Sequence, residues 1–358
     1  MARLRYCPVC GIGVGPQELL SRHPVTGAEG PERPDESDDQ AWLDWHAQSY
    51  ELTCAHGHPL PHRVLSVDTL VMSYVGQPTA GKSTMIKQLG KALNSTALSG
   101  RGLITRTSLG SRRLFDDLYD HDQVPGTETA HADSPHLSVV FEIDSLVDGR
   151  RRPAMDVMVF DCGGEDIFAD DGENVRQRTP FLPVSDVVVF ALPPAGLPGL
   201  PDDLRVVDLA QTKVTEAWFA QASAWIGLRP ASRAPEDQVV VVALTKADRY
   251  RTGDRFVLPA ELLRARRLQS TAVGLDETLA AEQPALFAFT DRAGGGPLLE
   301  LAAQVNDTVF LTAVSGAAPD DETKQQLFGM APNRSLDPLL IALMRRGLGR
   351  FSTAAGPA

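Results

Sequence analysis

The stretch Gly76-Gln77-Pro78-Thr79-Ala80-Gly81-Lys82-Ser83 constrains the fold of this chain more than any other, because of what flanks it. The apolar run Thr69-Leu-Val-Met-Ser-Tyr-Val precedes it, and a helix-like stretch over 83–93 follows. A strand, a G-x-x-x-x-G-K-S loop and a helix in that order predict a phosphate-cradling turn within an α/β sheet. Gly76 and Gly81 permit a tight turn whose successive N–H groups point inward at phosphate oxygens. The helix that starts at Lys82 adds the positive end of its dipole. Lys82 can then reach the β- and γ-phosphates, and Ser83 can hold a magnesium ion. Gly76 through Ser83, with Thr84, are therefore the candidate contacts to a nucleoside phosphate.

From Thr69 onward, strand and helix patterns alternate, which signals an α/β fold with a largely parallel sheet. Strands are expected over 69–75, 137–143, 155–161, 186–192, 238–244 and 308–313. Helices are expected over 83–93, 209–227, 259–269 and 335–346. Val187-Val-Val-Phe190 and Val239-Val-Val-Val242 are continuous apolar runs, as in strands covered on both faces. Val147-Asp-Gly-Arg150 carries a hairpin signal, so one strand should lie antiparallel in an otherwise parallel six-stranded sheet. The segment from Asn94 to His136 reads as a long loop suited to ordering around a γ-phosphate. Domains are expected at 1–63, with a mobile acidic insert over 24–40, and at 66–350, followed by a flexible tail over 351–358.

The chain has 358 residues, 43% of them hydrophobic, with a net charge of −12. That charge argues against a nucleic-acid-binding surface, which needs a basic footprint. No apolar run is long enough for a membrane span, and the N-terminus lacks the apolar core of a signal peptide. Four cysteines are too few for a disulfide scaffold of this size, so a cytoplasmic setting is the expectation.

Three of those cysteines lie in the first 63 residues. Cys7-Pro-Val-Cys10 has the spacing of the first half of a zinc ribbon, and Cys54-Ala-His56-Gly-His58 can supply the second. His58 is preferred to His56, because Cys54 and His58 span one turn with a glycine before the ligand. Three thiolates and one imidazole make a closed, structural zinc site. A redox pair is the competing reading of C-x-x-C, but nothing thioredoxin-like surrounds it.

A second acidic element follows the predicted strand over 155–161, in Asp161-Cys-Gly-Gly164-Glu165. An acid at the end of a neighbouring strand can hold magnesium, and the glycines leave N–H groups, Gly164 among them, to meet a γ-phosphate. After the strand over 238–244 comes Thr245-Lys246-Ala247-Asp248, and after the last strand come Ser315-Gly316. In this order the chain resembles P-loop GTPases of the TRAFAC class, over Gly76 to Gly316. The resemblance implies a Ras-like three-layer sandwich. It also implies that Asp248 reads guanine, Lys246 lies over the base, and Ser315 and Gly316 meet the guanine O6. Thr245 stands where asparagine is commoner. A switch threonine that ligates magnesium is expected at Thr127, with Thr129, Thr105 and Thr107 as competitors. Glu165 stands where many GTPases carry glutamine. A carboxylate accepts a hydrogen bond from water but cannot donate one to the developing phosphoryl charge, so slow turnover is expected. Arg101, Arg106, Arg112 and Arg113 either assist in cis or are solvated surface charges.

More closely, the C-P-x-C…C-x-x-G-H ribbon, the loop, DCGGED, TKAD and a terminal helix from Leu336 resemble the bacterial double-GTPase group. That resemblance implies GTP and GDP as ligands, magnesium and structural zinc, and a signalling or defence setting. It also implies a second GTPase or an effector as partner, with a nucleotide-dependent homodimer possible. The catalytic set would be Lys82, Glu165 and Thr127. An ATPase, a nucleotide kinase or a non-hydrolysing nucleotide-bound module are the alternatives.

Overall fold

The computed structural model describes residues 6–15, 19–23, 26, 28–31, 49–78, 80–96, 98–119, 138–147, 149–163, 177–201, 209–227, 238–247, 258–259, 262, 275–306, 308–314 and 334–345. A small antiparallel sheet comes first, from β1 (Leu19–Arg22), β2 (Glu51–Cys54) and β3 (Pro59–Leu60). The large sheet has seven strands: β4 (Asp68–Val75), β5 (Leu103–Thr107), β6 (Ser138–Val147), β7 (Arg150–Asp161), β8 (Val187–Leu192), β9 (Val239–Leu244) and β10 (Val309–Ala313). Their order across the sheet is β10-β9-β8-β4-β7-β6-β5. Pairing is parallel from β10 to β7 and antiparallel at β7–β6 and β6–β5. The hairpin expected at 147–150 is present, with Val147 opposite Arg150 and Gly149 at φ 70.

The expected six strands are joined by a seventh. The segment after Asn94 is not simply a loop: it holds β5 and the helix Leu109–Tyr119. β5 was hidden because its outer half is polar, yet those polar groups are bonded inside the fold. Thr105 donates its hydroxyl to the Leu93 carbonyl. Thr107 accepts at its hydroxyl from the Asn94 amide at 2.8 Å and donates its backbone N–H to Asn94 Oδ1 at 2.7 Å. Both threonines are buried.

Helices cover both faces. α1 (Lys82–Leu93), α2 (Leu109–Tyr119) and α6 (Asp337–Arg345) lie with Leu70, Met72, Tyr74, Val157 and Val159 in one apolar layer. α3 (Leu209–Gly227), α4 (Leu275–Arg292) and α5 (Gly296–Ala303) contribute to the opposite layer, with Val71, Val75, Met158, Phe160 and Val188. Strand alternation divides the layers, since odd and even positions of β7 face opposite ways. The second layer also contains Cys7, Val9, Cys54 and Leu60, so the small N-terminal sheet shares a core with the large one. Arg63 ties the two together. It donates to Asp144 and Asp156, each at 2.5 Å, and to the Met155 carbonyl at 3.0 Å. Asp156 is pushed up to about 6, because burial outweighs its attraction to Arg63. α4 and α5 were not expected from sequence, and of the expected helix over 259–269 only 259 and 262 are described. Among the described residues no helix is long and apolar enough to cross a membrane.

Candidate nucleotide and metal sites

Because β4, β7, β8, β9 and β10 run parallel, their C-terminal ends lie at one end of the sheet, where α/β folds bind ligands. The glycine loop leaves β4 there and enters α1 at Gly81, whose φ of 94 suits glycine. Gly76 is needed for space. A Cβ on it would stand 2.9 Å from the Ala191 carbonyl oxygen and 3.0 Å from the Ala191 Cβ. Lys82 is 3% exposed, and its Nζ donates to the carbonyls of Gly76 at 2.8 Å and Gln77 at 3.1 Å. Ser83 donates its hydroxyl to Asp161 Oδ2 at 2.6 Å. The loop's serine and the acid ending β7 are therefore side by side, as two oxygen ligands of one hard cation would be.

The loop after β9 reaches the same place. Thr245 donates its hydroxyl to the Ala80 carbonyl at 2.7 Å, tying the segment Thr245-Lys246-Ala247 to the glycine loop. Its own N–H bonds the Leu192 carbonyl, while Ala247 N–H bonds Val314 O at the end of β10. Lys246 has φ 55, a left-handed conformation that a non-glycine residue adopts at a cost of about 1–3 kcal/mol. Such strain persists only where the surroundings impose it, here through the Thr245 and Ala247 backbone bonds. Of the other expected site residues, Thr79, Thr127, Gly164, Glu165, Asp248, Ser315 and Gly316 lie outside the described residues, as does Thr129. Gln77 and Thr84 are half-buried and Pro78 is exposed. Arg106, among the switch-region arginines, pairs at 2.6 Å with Glu142.

Sequence reasoning passed over Tyr74, whose register partner is Asp161. Its ring is fully buried, and burial, followed by the charge of Asp161, pushes its phenol well above the ordinary range. The signal was available, since the residue two before the first loop glycine must sit beside the acid that ends the neighbouring strand.

The N-terminal cysteines and one histidine form a second site. Cys7, Cys10, Cys54 and His58 place their ligand atoms within 4.8 Å of one another. Cys7 Sγ is 3.8 Å from His58 Nδ1, Cys10 Sγ is 3.7 Å from Cys54 Sγ, and Cys54 Sγ is 3.4 Å from His58 Nδ1. Zinc–sulfur bonds of about 2.3 Å and zinc–nitrogen bonds of about 2.0–2.1 Å give tetrahedral edges of roughly 3.5–3.8 Å. The cluster can hold such an ion. Two glycine turns aim the ligands. Gly11, at φ 69, donates to the Cys7 carbonyl, and Gly57, at φ 82, donates to the Cys54 carbonyl. His56 lies outside the cluster, its ring 6.4 Å from that of His58. Burial pushes the Cys7 thiol up to about 12 and raises Cys10, while burial and then His56 lower His58. Metal would therefore have to displace thiol protons, whereas the imidazole is shifted toward the neutral form that ligates.

A mostly parallel seven-stranded sheet, with a glycine loop running from its central strand into a helix, is a P-loop NTPase-like architecture. No family model and no curated protein matches the chain. Solved structures with some likeness include a mutation variant of SsGBP, at 8% identity and TM-score 0.27, covering 80% of this chain and 57% of that one. The S. cerevisiae Ski7 GTPase-like domain bound to GDP and inorganic phosphate aligns at 13% identity and TM-score 0.30, covering 80% and 51%. The same domain bound to GTP aligns at 13% and 0.31, covering 78% and 50%. The chain thus spans about half the length of these structures. Likeness at this level carries no functional argument, which rests on the geometry of the loop.

Proposed function

We propose that the chain binds GTP with magnesium at the C-terminal end of its large sheet and hydrolyses it slowly, as a switch whose turnover a partner protein stimulates. The observation that carries this reading is the bonding around the glycine loop. Lys82 bonds the loop's own carbonyls, Ser83 bonds Asp161, and Thr245 bonds Ala80. The lysine is already aimed inward, and phosphate oxygens are the acceptors that suit its charge better than carbonyls do. Ser83 and Asp161 fit magnesium, which would neutralise charge on the β- and γ-phosphates when bound.

Guanine selection is assigned to Asp248, Lys246, Ser315 and Gly316, and Thr245 supports it by fixing the base-side loop against the phosphate-side loop. Asp248 would accept from the guanine N1 and N2 donors, which adenine lacks. Thr127 is proposed as the switch ligand, Gly164 as a γ-phosphate contact, and Glu165 as the group nearest the attacking water. The Cys7/Cys10/Cys54/His58 site is proposed to hold zinc structurally, within an N-terminal unit ending near residue 63. A place in the bacterial double-GTPase group, a defence or signalling role, and a second GTPase, an effector or a second copy as partner rest on motif order alone.

Titration with fluorescent GTP and ATP analogues in magnesium tests the reading. A preference for GTP of about 100-fold or more is expected, and Asp248→Asn should shift preference toward xanthosine triphosphate. Equal affinities for GTP and ATP would remove the guanine assignment. A single-turnover assay releasing no phosphate over hours would leave a nucleotide-bound interaction module in its place.

A further inference from the structure

The N-terminal metal cluster and the magnesium acid share one wall of the protein. Asp161 ends β7, and its two chain neighbours, Phe160 and Cys162, point to the opposite face of the sheet from it. Both are 1% exposed or less, and both belong to the apolar layer that contains Cys7, Val9, Cys54 and Leu60. Phe160 stacks on Phe181, with ring centroids 4.3 Å apart and planes 9° from parallel. Cys162 continues the ladder by donating its N–H to Tyr74 O. On this layer Phe219 of α3 stacks on Phe190 of β8, and α5 packs against β9 and β10.

The small N-terminal sheet contributes Cys7, Val9, Cys54 and Leu60 to this layer, and it is fastened at two heights. Arg63 holds it to Asp144, Asp156 and the Met155 carbonyl along β6 and β7. His62, donating its Nε2–H to the Tyr50 carbonyl at 2.7 Å, lies against Gly110 at the start of α2. This cover has only three short strands. Units this small need a staple, and the cluster that closes Cys7 and Cys10 onto Cys54 and His58 can supply one.

We propose that the Cys7/Cys10/Cys54/His58 site is a positioning device for Asp161. With zinc bound, the cover stays packed under Phe160 and Cys162 and holds the end of β7 at the height where Asp161 meets Ser83. With the site empty, the packing under Phe160 and Cys162 loosens and magnesium is held less well. This inference rests on the magnesium–nucleotide reading of the glycine loop and deepens it. It differs from a purely structural role by being selective: magnesium dependence should change more than nucleotide binding itself.

The test uses the full chain, zinc-loaded, against the same chain stripped by a chelator with negligible magnesium affinity, and against Cys10→Ser, whose side chain is half-buried at the rim of the cluster. A fluorescent GDP analogue is titrated at stepped magnesium concentrations, with zinc content and melting curves measured on each sample. The expected result is a rise of roughly tenfold in the magnesium concentration for half-maximal binding in both zinc-poor samples, comparable to losing a ligand's outer support. Binding without magnesium should change by less than about twofold. An unchanged magnesium midpoint in zinc-free protein overturns the proposal, as does equal weakening with and without magnesium. Collapse of the large sheet on zinc removal also overturns it, since the device requires that sheet to stand alone. No nucleotide binding by the zinc-loaded chain would instead defeat the underlying reading.

Discussion

The two sites differ in what their polar groups bond to. At the glycine loop every key group has an internal substitute: Lys82 has two carbonyls, Ser83 has Asp161, and Thr245 has Ala80. The loop is backed by β4, a strand buried on both faces. The Cys/His cluster turns its ligand atoms toward one another and toward nearby backbone groups instead. Its thiols approach one another at nearly tetrahedral distances inside a unit with three short strands. On the proposed readings, a nucleotide changes what a standing sheet holds, whereas zinc is part of why the small sheet stands.

Metal removal should break this symmetry most visibly. Structural zinc in small modules supplies on the order of 10 kcal/mol of apparent folding free energy. Cys54→Ser should therefore abolish zinc retention, measured by metal analysis, and open the first 63 residues to proteolysis while the large sheet still melts cooperatively. Proteolysis that is unchanged after zinc loss would show that the cover stands without its staple.

Arg63→Ala comes next in size, because it strands buried carboxylates. Removing one member of such a cluster costs about 3–5 kcal/mol, readable by denaturant unfolding at neutral pH. The sign with pH follows from Asp156, whose carboxyl is raised from 3.8 to about 6. A raised carboxyl contributes stability in full below its unfolded value, and that contribution is lost as pH rises through the folded value near 6. The cost of Arg63→Ala should accordingly shrink as pH falls toward about 6 and level off below it, because without the guanidinium Asp156 takes up its proton at higher pH.

The loop should respond in binding more than in folding. Lys82→Ala should weaken GTP by about 100-fold or more, equivalent to about 2.7 kcal/mol, with little change in melting of the nucleotide-free protein. Thr245→Val is the mildest change, since it removes one hydrogen bond worth about 1 kcal/mol. It should lower GTP affinity several-fold, and Thr245→Asn should restore it. Melting shifts larger than the affinity changes would show that the loop, like the cluster, is held up by its guest.

The large sheet was legible wherever burial on both faces made a strand apolar throughout, as in Val187–Leu192 and Val239–Leu244. It was not legible at β5, where Thr105, Arg106 and Thr107 find partners only once Leu93, Asn94 and Glu142 are in place. α4 escaped notice because Pro284 lies inside it. At the sites, the spacing of cysteines and glycines conveyed which residues gather, including His58 over His56. Local spacing could not convey that the gathered cysteines pack in the same layer as Phe160, because that contact joins positions far apart in the chain.

The order of residues adds a consequence for biosynthesis. Cys7, Cys10, Cys54 and His58 leave the ribosome before any strand of the large sheet exists, whereas Arg63 must await Asp144 and Asp156, which lie 81 and 93 positions later. Domains fold as they emerge, N-terminal parts first. If the cluster takes zinc, the nascent chain can thus bind it while the platform for the cover is still being made. It then carries a finished lid waiting for its box.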